Sequence, residues 1–275
     1  MTETTPTHAA LPRHHHTAGW VLALLLAGLA TLGPFSIDTY MPSFPAMGES
    51  LHATPLQVQQ TLSVYLAAFA LMMLFHGALS DSFGRRPVIL WSLLLFALSS
   101  AACAMSFDIG YLLLFRAVQG LSAGAGMVVG RAIIRDRYAG HEAQRLMSQV
   151  TMIFGLAPAV APVIGGWLHV WFGWHSVFVF LALLGVFLLA ASWRYLPETL
   201  PEVGRIPLHP VVLAKGYRKV LGNRDFLLLS GAVALNFAGF FLYIASAPVL
   251  VIDILKLDES AFAWLFIPAV AGVVI

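Results

Sequence analysis

The sequence predicts an all-α polytopic membrane protein, and three observations carry that expectation. Hydrophobic residues fill 59% of 275 positions, charged residues only 10%, and the mean hydropathy is +0.84. A soluble domain has no use for that much apolar surface. The apolar positions fall into runs long enough to cross a bilayer, about 20 residues each. The basic residues gather in alternate loops between those runs, as they do on one side of a membrane. The formal charge of +2 says little as a total. No nucleic-acid partner, cofactor or resident metal is expected. Cys103 is the single cysteine, so no intramolecular disulfide can form.

Taken in order, the runs predict helices near 18–44, 57–80, 87–105, 109–131, 144–168, 174–194, 226–250 and 260–275. Residues 1–17 form a polar tail that includes His14–His16. No cleavable signal is expected, because Trp20–Tyr40 has no small-residue cleavage site leading into soluble sequence. Thirteen of the fifteen basic residues fall in the tail, in the loops after the second and fourth runs, and in the stretch after the sixth. Loops 45–56, 106–108 and 169–173 hold no Lys or Arg. The positive-inside rule therefore predicts a cytoplasmic amino terminus. Residues 195–225 carry Pro197, Pro201, Pro207 and Pro210 among basic residues and read as a cytoplasmic linker. The expected domains are the tail, a six-helix bundle over 18–194, the linker, and the start of a second bundle over 226–275.

The stretch Gly77–Leu90, GALSDSFGRRPVIL, is the most distinctive. Gly77 is expected to let helix backbones approach closely, and Gly84 to supply the positive φ of a tight turn. Asp81 is expected to end one helix, with Arg85 and Arg86 holding the loop on the positive side. The pattern G-x-L-S-D-x-x-G-R-R resembles the loop between the second and third helices of the major facilitator superfamily, with Ser82 where a basic residue is usual. That resemblance implies the family's fold: here a complete six-helix amino-terminal half plus about two helices of an incomplete carboxy-terminal half. It also implies a role for Gly77, Asp81, Gly84, Arg85 and Arg86 as a conformational latch, with partners on the carboxy-terminal half.

Two ionisable residues lie deep in apolar runs, where burial costs roughly 2.5–3.5 kcal/mol each. Asp38 sits late in the first run and Arg116 early in the fourth. Their helices run in opposite directions, so the two fall at similar depth and could share a cavity, with Arg116 polarising Asp38. Arg116-x-x-Gln119-Gly120 resembles the helix-four motif whose arginine is implicated in proton coupling. Asp38 through Pro45, Arg131 through Asp136 and Leu196 through Leu200 resemble the Bcr/CflA drug-resistance branch. His76, near the end of the second run, is expected to snorkel or to be hydrogen-bonded.

Gly120, Gly124, Gly126 and Gly130 offer two small-xxx-small faces on the fourth helix. In the fifth, Pro158 and Pro162 should bend the helix and Gly165 with Gly166 soften it. That run resembles the antiporter motif of drug exporters, except that Ala161 replaces the glycine before Pro162. Gly120–Gly124 also fits the serine-hydrolase pattern G-x-S-x-G, but lies within a helix rather than at a strand–helix turn, so no enzyme is expected. Tyr40, Tyr65, Gln119, Asn236 and Tyr243 are the candidate lining of a substrate cavity. The resemblance implies proton-coupled efflux of amphipathic small molecules across a bacterial cytoplasmic membrane. The partners expected are the lipid bilayer, protons and an amphipathic substrate. A proton-coupled uptake symporter of the same fold, or an inactive truncated fragment, are the alternatives.

Overall fold

The computed structural model describes residues 19–248, 250 and 254–256, excepting the side chains of 240, 241, 243–245, 247 and 248. Six spans are long and apolar enough to cross a membrane: Gly19–Ser50, Pro55–Phe83, Arg85–Ala104, Ile109–Arg137, Gly140–Phe172 and His175–Tyr195.

The first span is in three pieces where one helix over 18–44 was expected. Helix α1 covers Gly19–Asp38, a 3-10 turn covers Met41–Ser43, and α2 covers Phe44–Ser50. Pro42 and Pro45 explain the interruption. Each lacks the N–H that would continue the ladder, and each sits in the first turn of the piece it opens, where that loss is harmless. The next helix, α3 (Pro55–Phe83), begins at a capping box in which Thr54 and Gln57 satisfy one another's backbone N–H groups. It runs past Asp81, which therefore does not end it. Gly84 ends it instead, at φ +102, a conformation that glycine alone adopts without strain.

Helix α4 (Arg85–Ala104) starts at once. The fourth span divides at Gly124 into α5 (Ile109–Ala123) and α6 (Ala125–Arg137). Helix α7 (Gly140–Phe172) is continuous through Pro158 and Pro162, and α8 (His175–Tyr195) completes the bundle. The stretch read as a linker contains a further helix, α9 (Pro210–Leu221), whose basic and apolar faces are separate. Helix α10 (Arg224–Pro248) follows. The run at 260–275 lies outside the described residues.

In the bundle α4 packs on α8, α3 on α5 and α1 on α7. Glycines set these approaches. A Cβ at Gly120 would lie 2.3 Å from the Tyr65 carbonyl oxygen on α3, and one at Gly126 the same distance from that of Leu29 on α1. The two small-residue faces of the fourth span thus serve two different neighbours. Gly165 brings α7 onto the end of α1, where a Cβ would fall 1.8 Å from the Thr39 carbonyl oxygen. It is a close-approach residue, and the softening expected of it is not its main effect. Gly77 does the reverse of what was expected: a Cβ there would meet only Val128, at an ordinary 3.9 Å. Leu22, Leu26, Phe96 and Phe178 fill the core, while Trp91, Trp171 and Phe187 stand exposed on the outside, as a lipid-facing surface requires.

Candidate functional site

Arg116 is the largest wholly buried side chain of the described residues. Helical spacing puts Gln119 one turn on, on the same face of α5. Arg116 Nη1 donates to Gln119 Oε1 and, at 3.1 Å, to the Ser36 carbonyl oxygen of α1. Gln119 Nε2 in turn donates to Ser100 Oγ on α4, at 2.7 Å. The guanidinium carbon lies 4.2 Å from the Tyr40 ring centre and 4.3 Å from that of Tyr65, with Phe178 at 5.9 Å. Desolvated cation–π contacts of this kind are worth about 2 kcal/mol or more. The tyrosine hydroxyls are held too. Thr61 gives its own proton to the Val58 carbonyl oxygen, so Tyr40 donates to Thr61 Oγ1 at 3.3 Å, and Tyr65 donates to the Gly33 carbonyl oxygen at 3.3 Å. Arg116 Nε and Nη2 find no acceptor.

Asp38 is buried at the last turn of α1, and its Oδ1 has no hydrogen-bond partner. Among the described residues no ion pair joins it to Arg116, contrary to the expected polarisation. The arginine is held by residues on either side of Asp38, through the Ser36 carbonyl and the Tyr40 ring. Tyr40, Tyr65 and Gln119 were expected to line an open cavity. Instead they are wholly buried around the guanidinium. Asn236 is exposed on α10, and the side chain of Tyr243 lies outside the described residues. Pro158, Pro162, Gly165 and Gly166 are buried in α7. His76 is buried with Nδ1 unpartnered and does not snorkel. Ser122, the would-be nucleophile, is buried and donates to the Gln119 carbonyl oxygen at 2.8 Å.

The second charged cluster is at the loop between α3 and α4. Arg85 pairs with Asp81 one turn back and with Asp136 of α6, whose Oδ2 lies 3.0 Å from Nε. Glu198, just beyond α8, accepts from the backbone N–H groups of Arg85 at 3.0 Å and Arg86 at 3.2 Å, and from those of Thr199 and Leu200 at 3.0 Å each. A carboxylate at a helix amino terminus faces the positive end of the dipole. A Cβ at Gly84 would come 2.5 Å from Glu198 Oε2, so the glycine is needed for room as well as for φ. Arg86 Nη2 donates to the Trp193 carbonyl oxygen at 2.6 Å, and Ser82 Oγ to that of Ile206 at 2.6 Å. These partners of the loop, Asp136, Trp193, Glu198 and Ile206, all precede α9, where partners on a carboxy-terminal half were expected. Sequence reasoning missed Glu198 and Asp136. An acid just after a helix, near the amino end of another, was the available signal.

A multi-pass helical bundle with a buried cation at its centre and a charged clamp at one end is the build of a membrane transport protein. The chain belongs to the Major Facilitator Superfamily, whose sequence model matches residues 24–275. It is therefore grouped with transporters and not with enzymes. It is 32% identical over 247 residues to a bicyclomycin resistance protein homolog of Haemophilus influenzae, covering 90% of this chain and 62% of that one. To a chloramphenicol resistance protein of Pseudomonas aeruginosa it is 31% identical, covering 88% and 57%, and to the multidrug resistance protein MdtM of Escherichia coli 28%, covering 96% and 63%. The chain spans about three fifths of the length of these relatives. Among solved structures it shares its fold with a bacterial homologue of the human lysosomal transporter Spinster, at TM-score 0.72 and 19% identity over 94% of this chain and 60% of that one. A D-xylose–proton symporter matches at TM-score 0.62 and 15% identity, covering 92% and 66%.

Proposed function

We propose that this chain is part of a secondary active transporter that exports amphipathic drugs or toxic small molecules in exchange for protons, by alternating access. It would lie in the bacterial cytoplasmic membrane with its amino terminus in the cytoplasm. The first six spans would form one bundle, the stretch 195–225 a cytoplasmic linker, and 226–275 the start of a second bundle. The names of the resistance relatives support the substrate class and the direction of transport.

One observation carries the coupling: a buried carboxylate with an unpartnered oxygen interrupts the two residues that hold a buried cation. Asp38 can bind and release a proton without breaking a salt bridge. Because Ser36 and Tyr40 flank it, a shift at the end of α1 that accompanies protonation also moves the cage around Arg116. In this scheme Asp38 takes a proton from outside, and substrate entering from inside displaces it as the bundle rocks. One charge crossing 100 mV supplies about 2.3 kcal/mol, enough for roughly fiftyfold accumulation of a neutral substrate. The loop Gly77–Arg86 would latch one conformation through Asp81 and Arg85.

The test is loss of a fluorescent cationic dye from energised cells. The protein should speed it, an uncoupler should stop it, and Asp38→Asn at equal membrane abundance should remove it. Arg116→Lys, which keeps the charge but loses the planar contact with both tyrosine rings, should remove it too. Full dye loss by well-inserted Asp38→Asn would overturn the coupling role.

A further inference from the structure

A groove of 750 Å³ runs down the flank of the bundle between α4 and α8, away from Arg116. Its mouth is formed by Arg86, Arg205 and Glu198, and its walls below are almost entirely hydrocarbon, including Leu90, Leu94, Val186 and Ala190. Trp91 and Trp193 also line it and stand 71% and 68% exposed, in the manner of side chains at a bilayer interface. From Arg86 to Leu94 is eight residues along α4, about 12 Å of apolar wall at helical rise.

The charge at the mouth is positive in effect. Glu198 already accepts four backbone N–H groups, two of them from α4. Arg205 has a carboxylate of Glu202 only at 3.9 Å, and that side chain is 89% exposed, so the pairing is weak and screened. Arg86 is fixed by its bond to the Trp193 carbonyl oxygen. The Nε atoms of both arginines are buried and have no hydrogen-bond partner. Two guanidiniums with unused donors above an apolar furrow are complementary to one amphiphile: a phosphate ester at the top and a hydrocarbon chain below.

We propose that this groove binds an anionic phospholipid, its phosphodiester against Arg86 and Arg205 and one acyl chain lying along Leu90, Leu94 and Val186. A zwitterionic lipid would fit the furrow equally well but would bring its own cation to the two arginines. The site is therefore selective for headgroup charge. It stands independently of the export reading, because none of its residues touches Asp38 or Arg116.

The experiment is native mass spectrometry of the purified chain in detergent, titrated with phosphatidylglycerol and, separately, phosphatidylcholine of the same acyl composition. Wild type should retain phosphatidylglycerol about tenfold more strongly, and Arg205→Gln should cut that preference about fivefold. Ala190→Trp, which fills the furrow, should weaken retention of both lipids. Lys219→Gln, an exposed cation on α9, should change nothing. The unfolding temperature of each variant separates loss of a site from loss of fold, and Ala190→Trp provides a second route that leaves the arginines intact. Equal retention of the two lipids by wild type would overturn the proposal. So would an Arg205→Gln preference equal to wild type, or an equal fall in Lys219→Gln, which would mean general surface attraction. Displacement by inorganic phosphate at the lipid's own concentration would assign the arginines to a free anion and overturn the lipid site.

Discussion

Replacing Glu198 by alanine should loosen the amino terminus of α4 more than any other single change in the α3–α4 loop. The carboxylate accepts the Arg85 and Arg86 amides, which have no partner within their own helix. A hydrogen bond to a charged acceptor is worth about 1.5–3 kcal/mol when buried, and these are part-buried, so about 1 kcal/mol each is the fair figure. The two together give about 2 kcal/mol, or roughly thirtyfold in the local opening equilibrium at 1.4 kcal/mol per decade. Hydrogen exchange of the peptide covering 81–90, followed by mass spectrometry, reads that equilibrium directly. Wild type and Glu198→Ala should differ about thirtyfold there and by little in α1. Glu198→Gln retains one carbonyl acceptor and loses the charge opposite the helix dipole, which is worth about 0.3–1 kcal/mol, so it should fall between. Exchange over 81–90 that is the same in wild type and Glu198→Ala would refute the clamp.

Two glycines make a paired test. Gly165→Ala should destabilise the fold by about 1–3 kcal/mol or more, because its Cβ would overlap the Thr39 carbonyl, whereas Gly77→Ala should stay within about 0.5 kcal/mol of wild type. Thermal unfolding in detergent distinguishes them, and equal losses would contradict the packing. Asp81→Ala should slow dye efflux while leaving dye binding largely intact, since Arg85 keeps Asp136. A binding loss as large as the transport loss would count against a latch.

The spans were legible because apolar run length is a one-dimensional property, and so was the turn at Gly84, since glycine next to paired arginines between two such runs has few other uses. The depth of Asp38 and Arg116 was legible for the same reason. Whether they pair was not. Pairing depends on rotation about each helix axis, where one residue is about 100°, and on the break at Thr39–Tyr40 that Pro42 and Pro45 impose. Tyr40 and Tyr65 read as cavity lining because an aromatic in a membrane helix looks the same whether it faces a substrate or a guanidinium. Glu198 was out of reach for a different reason: its partners lie more than a hundred residues away, and nothing local marks the pairing.

That separation sets an order of events. The loop between α3 and α4 is made early, but its ties to Glu198 span 113 and 112 residues, and the tie from Ser82 to Ile206 spans 124. At roughly 5–20 residues per second of synthesis, the first and last of these partners arrive about 6–25 s after the loop itself. Asp136 comes sooner, 51 residues on. During that wait Arg85 can pair with Asp81 and then Asp136, but the first amides of α4 stay unsatisfied by Glu198. The helical hairpin is thus inserted first and fastened last, and the residue that fastens it leaves the ribosome only after all six spans.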